Sequence, residues 1–234
     1  MSRLIDRLKQ VSAGGLAPMG FRAAGGKPRP RMVLVAHGAG VKVTGADAVL
    51  LSIPKAGAKS PKAKSEVPWG GWLKDVTGPG VKKLGEGGAD FVVFPAASVS
   101  SAILEDDKLG KVVEVEPALD AGLLKAIDDL PVDAVLISGE KPSLTWQDLM
   151  FFQRGANILT KPLLVLVSPD ITASELQALC QAGVGGVVVG GKLDKLRQMI
   201  DKLPAPKASK RRAEALVPRV GGGVPAAAEE EEED

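Results

Sequence analysis

The chain has one cysteine, one histidine and no tyrosine, and aromatic residues make up only 3% of it. A single thiol, Cys180, allows no internal disulfide and no cysteine-cluster metal site, which fits a reducing compartment. One histidine and one remote cysteine cannot assemble a transition-metal cage, which needs several converging ligands, so no metal site is expected. No apolar run approaches the roughly 20 residues that cross a bilayer, which excludes a membrane span. Charges at Arg3, Asp6, Arg7 and Lys9 interrupt what would be the apolar centre of a secretory signal, and a cytoplasmic location is expected. A formal net charge of +2 is too near neutral to point to nucleic acid.

What the chain does have is small aliphatic residues. With 45% hydrophobic content and few aromatics, its core must be built from Val, Leu, Ile and Ala, the residues that fill parallel α/β barrels. Four stretches align: "GADAVLLSI" from 45, "GADFVVFPA" from 88, "PVDAVLISG" from 131 and "GVGGVVVGG" from 183. They recur at intervals of 43, 43 and 52 residues, with a further short strand at 32–37, 69–74, 112–117 and 163–168. The repeating unit is therefore two strands and two helices, and four units make eight strands. Helical patterns are expected over 80–87, 118–130, 144–159, 172–182 and 193–203, with Thr172 and Glu175 forming a capping box. This alternation predicts an α/β fold, a (β/α)₈ barrel, with a doubly wound open sheet as the alternative.

Three regions are expected. Residues 1–30 comprise an amphipathic helix, with Leu4, Ile5, Leu8 and Val11 on one face able to plug the barrel's bottom, followed by a basic linker. Residues 31–203 form the barrel, interrupted at 54–68 by a Lys- and Pro-rich stretch where a helix is due. Residues 204–234 are poor in large apolar side chains and end in an acidic run, the composition of a disordered charged tail. The basic cluster at Lys207, Lys210, Arg211 and Arg212 is read as solvated, and nucleic acid is not the expected partner.

In a parallel barrel, ligands bind at the C-terminal strand ends, so polar residues there carry functional weight. The four repeats put Ser52, Pro95, Ser138 and Gly190 at one equivalent position, and small residues there leave an open mouth. Glu114 and Glu116 are two apart and share a side of their strand. If Val113 and Val115 meet the helices, both carboxylates face the interior. Glu116 is the candidate proton-transfer residue, with a structural ion pair as the alternative, and a structural role is preferred for the deeper Glu114. Lys74 near the mouth and His37 at the first strand exit are the candidate assistants. Cys180 is read as core packing, and Trp69, Trp72 and Trp146 as packing, with Trp69 and Trp72 on opposite sides of one strand and stacking on a ring ligand as the alternative.

The stretch "VSPDITASELQALCQAGVGGVVVGGKLDKL" resembles the closing half-turn of phosphate-binding TIM barrels of the ribulose-phosphate-binding and FMN-linked groups. That resemblance implies a phosphate held by Ser168, Gly190, Gly191 and Lys192. Pro169 and Asp170 depart from it, standing where those families carry a glycine pair. Over its length the chain is also similar to uncharacterised bacterial barrel proteins, which bears on the fold and implies no reaction. The expected function is binding of a phosphorylated small molecule or FMN at the barrel mouth, with proton-transfer chemistry of a lyase, isomerase or oxidoreductase. The alternative is a non-catalytic barrel serving as a binding or assembly module. A homo-oligomer is the other partner left open.

Overall fold

The computed structural model describes residues 2–12, 31–38, 44–53, 67–74, 78–97, 103, 108–139, 143–191 and 193–204. The expected linker, most of the Lys-rich stretch, Lys192 and the tail from 205 lie outside the described residues. Strands β1 (Val33–His37), β2 (Ala48–Ile53), β3 (Trp69–Leu73), β4 (Phe91–Pro95), β5 (Gly110–Val115), β6 (Ala134–Ile137), β7 (Leu163–Val167) and β8 (Gly186–Gly190) are all parallel. The ring closes because β8 pairs with β1 over five residues, from Val33 beside Gly186 to His37 beside Gly190. That pairing excludes the open sheet. Helices α2 (Gly78–Glu86), α3 (Ala121–Asp129), α4 (Trp146–Ile158), α5 (Ala173–Gln181) and α6 (Leu193–Asp201) are joined by an N-terminal helix, α1 (Arg3–Ser12).

Alternation along each strand sorts the aliphatic residues into two cores. Val33, Val35, Leu50, Val93, Val112, Leu136 and Val188 face inward and fill the barrel. Val49, Val92, Val113, Val115, Val165 and Val187 face outward and pack against the helices, so the valines of β5 do meet the helical layer. Trp69 belongs to the outer core and Trp72 packs against the inner one, whereas Trp146, expected to pack, stands 83% exposed as the first residue of α4.

The helix α1 closes the bottom of the barrel. Its Leu4, Ile5 and Leu8 are buried in the same cluster as the inward strand residues. Each such burial contributes about 1.5–3 kcal/mol, which explains why a helix of ten residues, too short to persist alone, is held here. Asp90 caps it: its carboxylate accepts from Ser2 Oγ at 2.7 Å, Arg3 N at 2.8 Å and Leu4 N at 3.0 Å. At the other end a Cβ on Gly185 would lie 2.7 Å from Ser12 Oγ, so the fourth repeat carries glycine where the others carry aspartate. In the first and third repeats the aspartate serves its own sheet. Asp47 accepts from Leu34 N at 3.0 Å, and Asp133 accepts from Lys111 N at 2.9 Å. Asp47 also receives Arg197 of α6 at 2.9 Å, tying the last helix to the second strand.

Capping sets where the helices begin above the sheet. Thr172 and Glu175 form the expected box on α5, and Thr145 and Asp148 form a second on α4 that the sequence reading did not name. Glu175 also accepts Leu144 N at 3.3 Å, fastening α5 to the segment entering α4. The donated bonds from Thr172 hold the Glu175 carboxyl below the usual carboxylate range.

Candidate functional site at the barrel mouth

The inward-facing positions at the top of the strands are His37 on β1, Ser52 on β2, Trp72 on β3, Pro95 on β4, Glu114 on β5 and Gly190 on β8, with Ser138 and Ser168 just past β6 and β7. Two hydrogen bonds organise them. Trp72 Nε1 donates to Glu114 Oε2 at 2.6 Å, spanning from β3 across to β5, and His37 Nε2 lies 2.9 Å from Ser52 Oγ. The His37 and Trp72 rings meet with centroids 4.8 Å apart and planes tilted by 57°. Polar groups from four strands thus converge on one mouth. Half-buried Trp72 satisfies its indole N–H on the carboxylate, as an inward tryptophan must. The bond occupies one carboxylate oxygen, and the other is the acceptor left for a ligand donor.

The carboxylate at the centre of the mouth is Glu114, where the sequence favoured Glu116. Strand β5 begins at Gly110 and ends at Val115, two residues earlier at each end than the 112–117 expected. Glu116 instead opens a turn with Pro117 at its second position, closed by Leu119 N to Glu116 O at 3.2 Å. It is exposed and borders a rim groove with Pro117, Ser138, Gly139 and Gln147. Lys74 is exposed just past β3. His37 joins the mouth cluster and Glu116 lies outside it. The signal that would have found the pair was the parity of "WGGW": Trp72 shares the inner face with Gly70, and an inward indole needs an acceptor.

At the end of β8, two glycines have different reasons for being there. Gly191 has φ of +104°, a conformation that glycine alone adopts freely. Gly190 has no such need, and a Cβ built on it would sit in ordinary contact, 3.8 Å from His37 O. The other three inward glycines are forced by packing, with a Cβ meeting Phe91 at 2.5 Å from Gly70, Ile5 at 2.7 Å from Gly110 and Leu164 at 2.7 Å from Gly186. Gly190 therefore leaves room at the mouth that neither turn geometry nor packing requires. The helix α6 starts just beyond, with first-turn N–H groups that lack intrahelical partners.

Beside it, on the neighbouring strand, the loop after β7 is closed to an anion. Pro169 has no N–H, Asp170 N donates to Ser168 Oγ at 3.4 Å, and Ile171 N donates to Ser168 O at 3.2 Å. Ser168 keeps its own O–H to donate. Among the described residues no three His, Cys, Asp or Glu converge as metal ligands, and no helix is long and apolar enough to cross a membrane. The Cys180 thiol is buried on α5 and burial pushes its pKa up, the opposite of a reactive thiolate.

No protein-family model and no curated protein matches the sequence. Solved structures do. The fold is that of a TIM barrel. Two variants of the tryptophan synthase α-subunit from Pyrococcus furiosus superpose with TM-scores of 0.57 and 0.58 at 16% and 15% identity. They cover 80% and 73% of this chain, and 98% and 97% of their own. The tryptophan synthase complex from the same organism matches with a TM-score of 0.56 at 15% identity, covering 73% of this chain and 97% of its own. At these identities the likeness is one of fold.

Proposed function

We propose that this barrel binds a phosphorylated small molecule at its C-terminal mouth, with the anionic group at the β8–α6 turn and a hydroxyl or other donor on Glu114. The observation that carries it is the Trp72–Glu114 bond at 2.6 Å, which fixes one oxygen of a half-buried carboxylate at the C-terminal end of the strands and leaves the other to accept. Gly190 and Gly191 supply room for the anion, Ser168 a hydroxyl donor, and the sequence adds Lys192 as a cation at the same turn. Because the β7 loop spends its amides internally, the cradle is one-sided. The affinity must then come as much from the carboxylate end as from the phosphate end.

Glu114 and His37 are the groups placed to move a proton on such a ligand, one as a carboxylate base and the other through an imidazole already bonded to Ser52. Glu116 and Lys74 stand at the rim and would act on a part of the ligand that projects from the mouth. The residues fit the phosphate of FMN better than its ring. The indole of Trp72 reaches across the mouth, and the surrounding inner positions are polar or small, so among the described residues no broad apolar slot would receive a tricyclic system. A barrel that binds or assembles without turnover is the alternative, favoured by the exposed apolar side chains of α3 and α4.

Calorimetric titration with inorganic phosphate and glycerol 3-phosphate tests the proposal. The phosphoester should bind the full-length protein more tightly than phosphate does, and Glu114→Gln should erase that difference. Equal affinities in the unaltered protein, or a difference that survives Glu114→Gln, would remove the carboxylate from the site.

A further inference from the structure

Three serines stand at the top of the strands, and their partners differ. Ser138 Oγ lies 3.5 Å from Val115 O, and Ser168 Oγ accepts Asp170 N at 3.4 Å, so both are engaged with backbone. Ser52 Oγ meets a ring nitrogen instead, His37 Nε2 at 2.9 Å, and His37 is the chain's only histidine. The strand register explains the meeting. His37 on β1 pairs with Leu50 on β2, so Ser52 stands two residues further along the same inward face and the imidazole reaches up to it. Ser52 is exposed and His37 half-buried, which puts the hydroxyl on the solvent side of the ring. Water would satisfy so exposed a hydroxyl, so burial does not force the bond. On β3, Trp72 pairs with Ser52 in register, and its indole packs on the imidazole with centroids 4.8 Å apart. The indole is fixed in turn by its 2.6 Å bond to Glu114.

We propose that Ser52 is a nucleophile with His37 as its general base, and that the pair transfers the acyl group of a small carboxylic ester. A serine hydroxyl is a weak nucleophile until a base within hydrogen-bond reach takes its proton and a further contact orients that base. The 2.9 Å bond and the Trp72 ring meet both conditions. In the tautomer whose Nε2 is unprotonated, Ser52 Oγ–H donates to His37. As Oγ attacks the ester carbonyl carbon, a C–O bond forms, the carbonyl electron pair moves onto its oxygen, and the proton passes to Nε2. The tetrahedral adduct then breaks its bond to the alkoxy oxygen, which takes that proton and leaves as the alcohol. Water attacks the acyl-serine with His37 accepting its proton, and the proton returns to Oγ as the carboxylic acid departs. An ester suits a two-residue relay better than an amide, because an alkoxide leaves more readily than an amine anion. The step is separate from the anion at the β8–α6 turn. Neither Gly190 nor Gly191 takes part, and Glu114 enters only by holding the indole.

Incubation of the full-length protein with a fluorophosphonate ester, followed by intact mass measurement and peptide mapping, tests the pair. An activated serine displaces fluoride and keeps the phosphonyl group on Oγ. The expected result is one adduct, on Ser52, absent in Ser52→Ala and formed about 100-fold more slowly in His37→Gln. Ser52→Ala removes an exposed hydroxyl and should melt like the unaltered protein. Hydrolysis of p-nitrophenyl acetate should fall by about 100-fold or more in the same variant. No adduct at millimolar probe, or an adduct on another residue of the unaltered protein, overturns the inference. So does labelling that His37→Gln leaves as fast, or ester hydrolysis that Ser52→Ala leaves unchanged, since the imidazole would then be acting alone. Neither readout involves phosphate, so failure here and failure of phosphoester binding at the mouth are told apart.

Discussion

The two ends of this barrel are built by opposite means. At the bottom, three carboxylates are spent on backbone: Asp47 on Leu34 N, Asp133 on Lys111 N, and Asp90 on the first N–H groups of α1. Leu4, Ile5 and Leu8 then seal the space between. At the top, the carboxylate of Glu114 is held by a side chain, Trp72, and among the described residues no helix lies across it. A carboxylate satisfied by the main chain is part of the fold and is inert toward a ligand. One satisfied by a single indole N–H retains an acceptor and can be dispensed with by the fold. The bottom therefore carries stability, and the top is where the proposed binding site lies, the end at which parallel barrels bind ligands.

That contrast can be broken at either end. The largest effect is expected from Leu8→Ala, which leaves a cavity beneath the barrel and should cost about 3 kcal/mol in urea unfolding without altering anion binding at the mouth. Asp90→Ala should cost about 2 kcal/mol, since it uncaps α1 and orphans several donors together. Amide exchange at Arg3 and Leu4 should accelerate selectively in that variant. Thr172→Ala, which removes the α5 capping box, should cost about 1 kcal/mol at neutral pH. Its pH dependence has a definite sign. The Glu175 carboxyl titrates below its unfolded value because Thr172 donates to the ionised form. Its contribution is therefore complete above the ordinary carboxyl range near 4.3 and is lost as pH falls through the lowered pKa. Alanine keeps the backbone N–H of residue 172, the larger cause of the lowering, and removes the hydroxyl donor, so the gap between Thr172→Ala and the unaltered protein should narrow by the hydroxyl's share in that acidic window in a denaturation series. The smallest stability effect is expected from Glu114→Gln, below about 0.5 kcal/mol, although it should weaken phosphoester binding by about tenfold or more.

Much of the fold was legible because it is written in repeated, short-range signals. The four aligned repeats, the short aliphatic strands and the Thr172–Glu175 box can each be read within a few residues, and the structure places strands and box as the sequence implied. The roles of Asp47, Asp90 and Asp133 could not be read in this way, because their backbone partners lie 13 to 87 positions away. The apolar face of α1 likewise announced a partner, and its position beneath the barrel followed from there being one open end to close. The mouth was less legible, since its central bond joins residues 42 positions apart, Trp72 and Glu114. Spacing along β5 put Glu114 and Glu116 on one side, but it could not show that the turn at Pro117 ends the strand before Glu116. The two glycines after β8 read alike in sequence. Only the backbone separates Gly191, required by its positive φ, from Gly190, which is required by nothing in the fold.

The most direct test of a functional mouth is a titration of the full-length protein with inorganic phosphate, following backbone amide signals by NMR and repeated on Gly190→Asp. Gly190 has an ordinary φ and space for a Cβ, so the variant should fold and melt like the unaltered chain while placing bulk and negative charge where the anion would sit. The account predicts saturable shifts confined to Ser168 and to Gly190 through Leu193 in the unaltered protein, and their loss in Gly190→Asp. Unmoved signals at millimolar phosphate, or identical shifts in the variant, would contradict it.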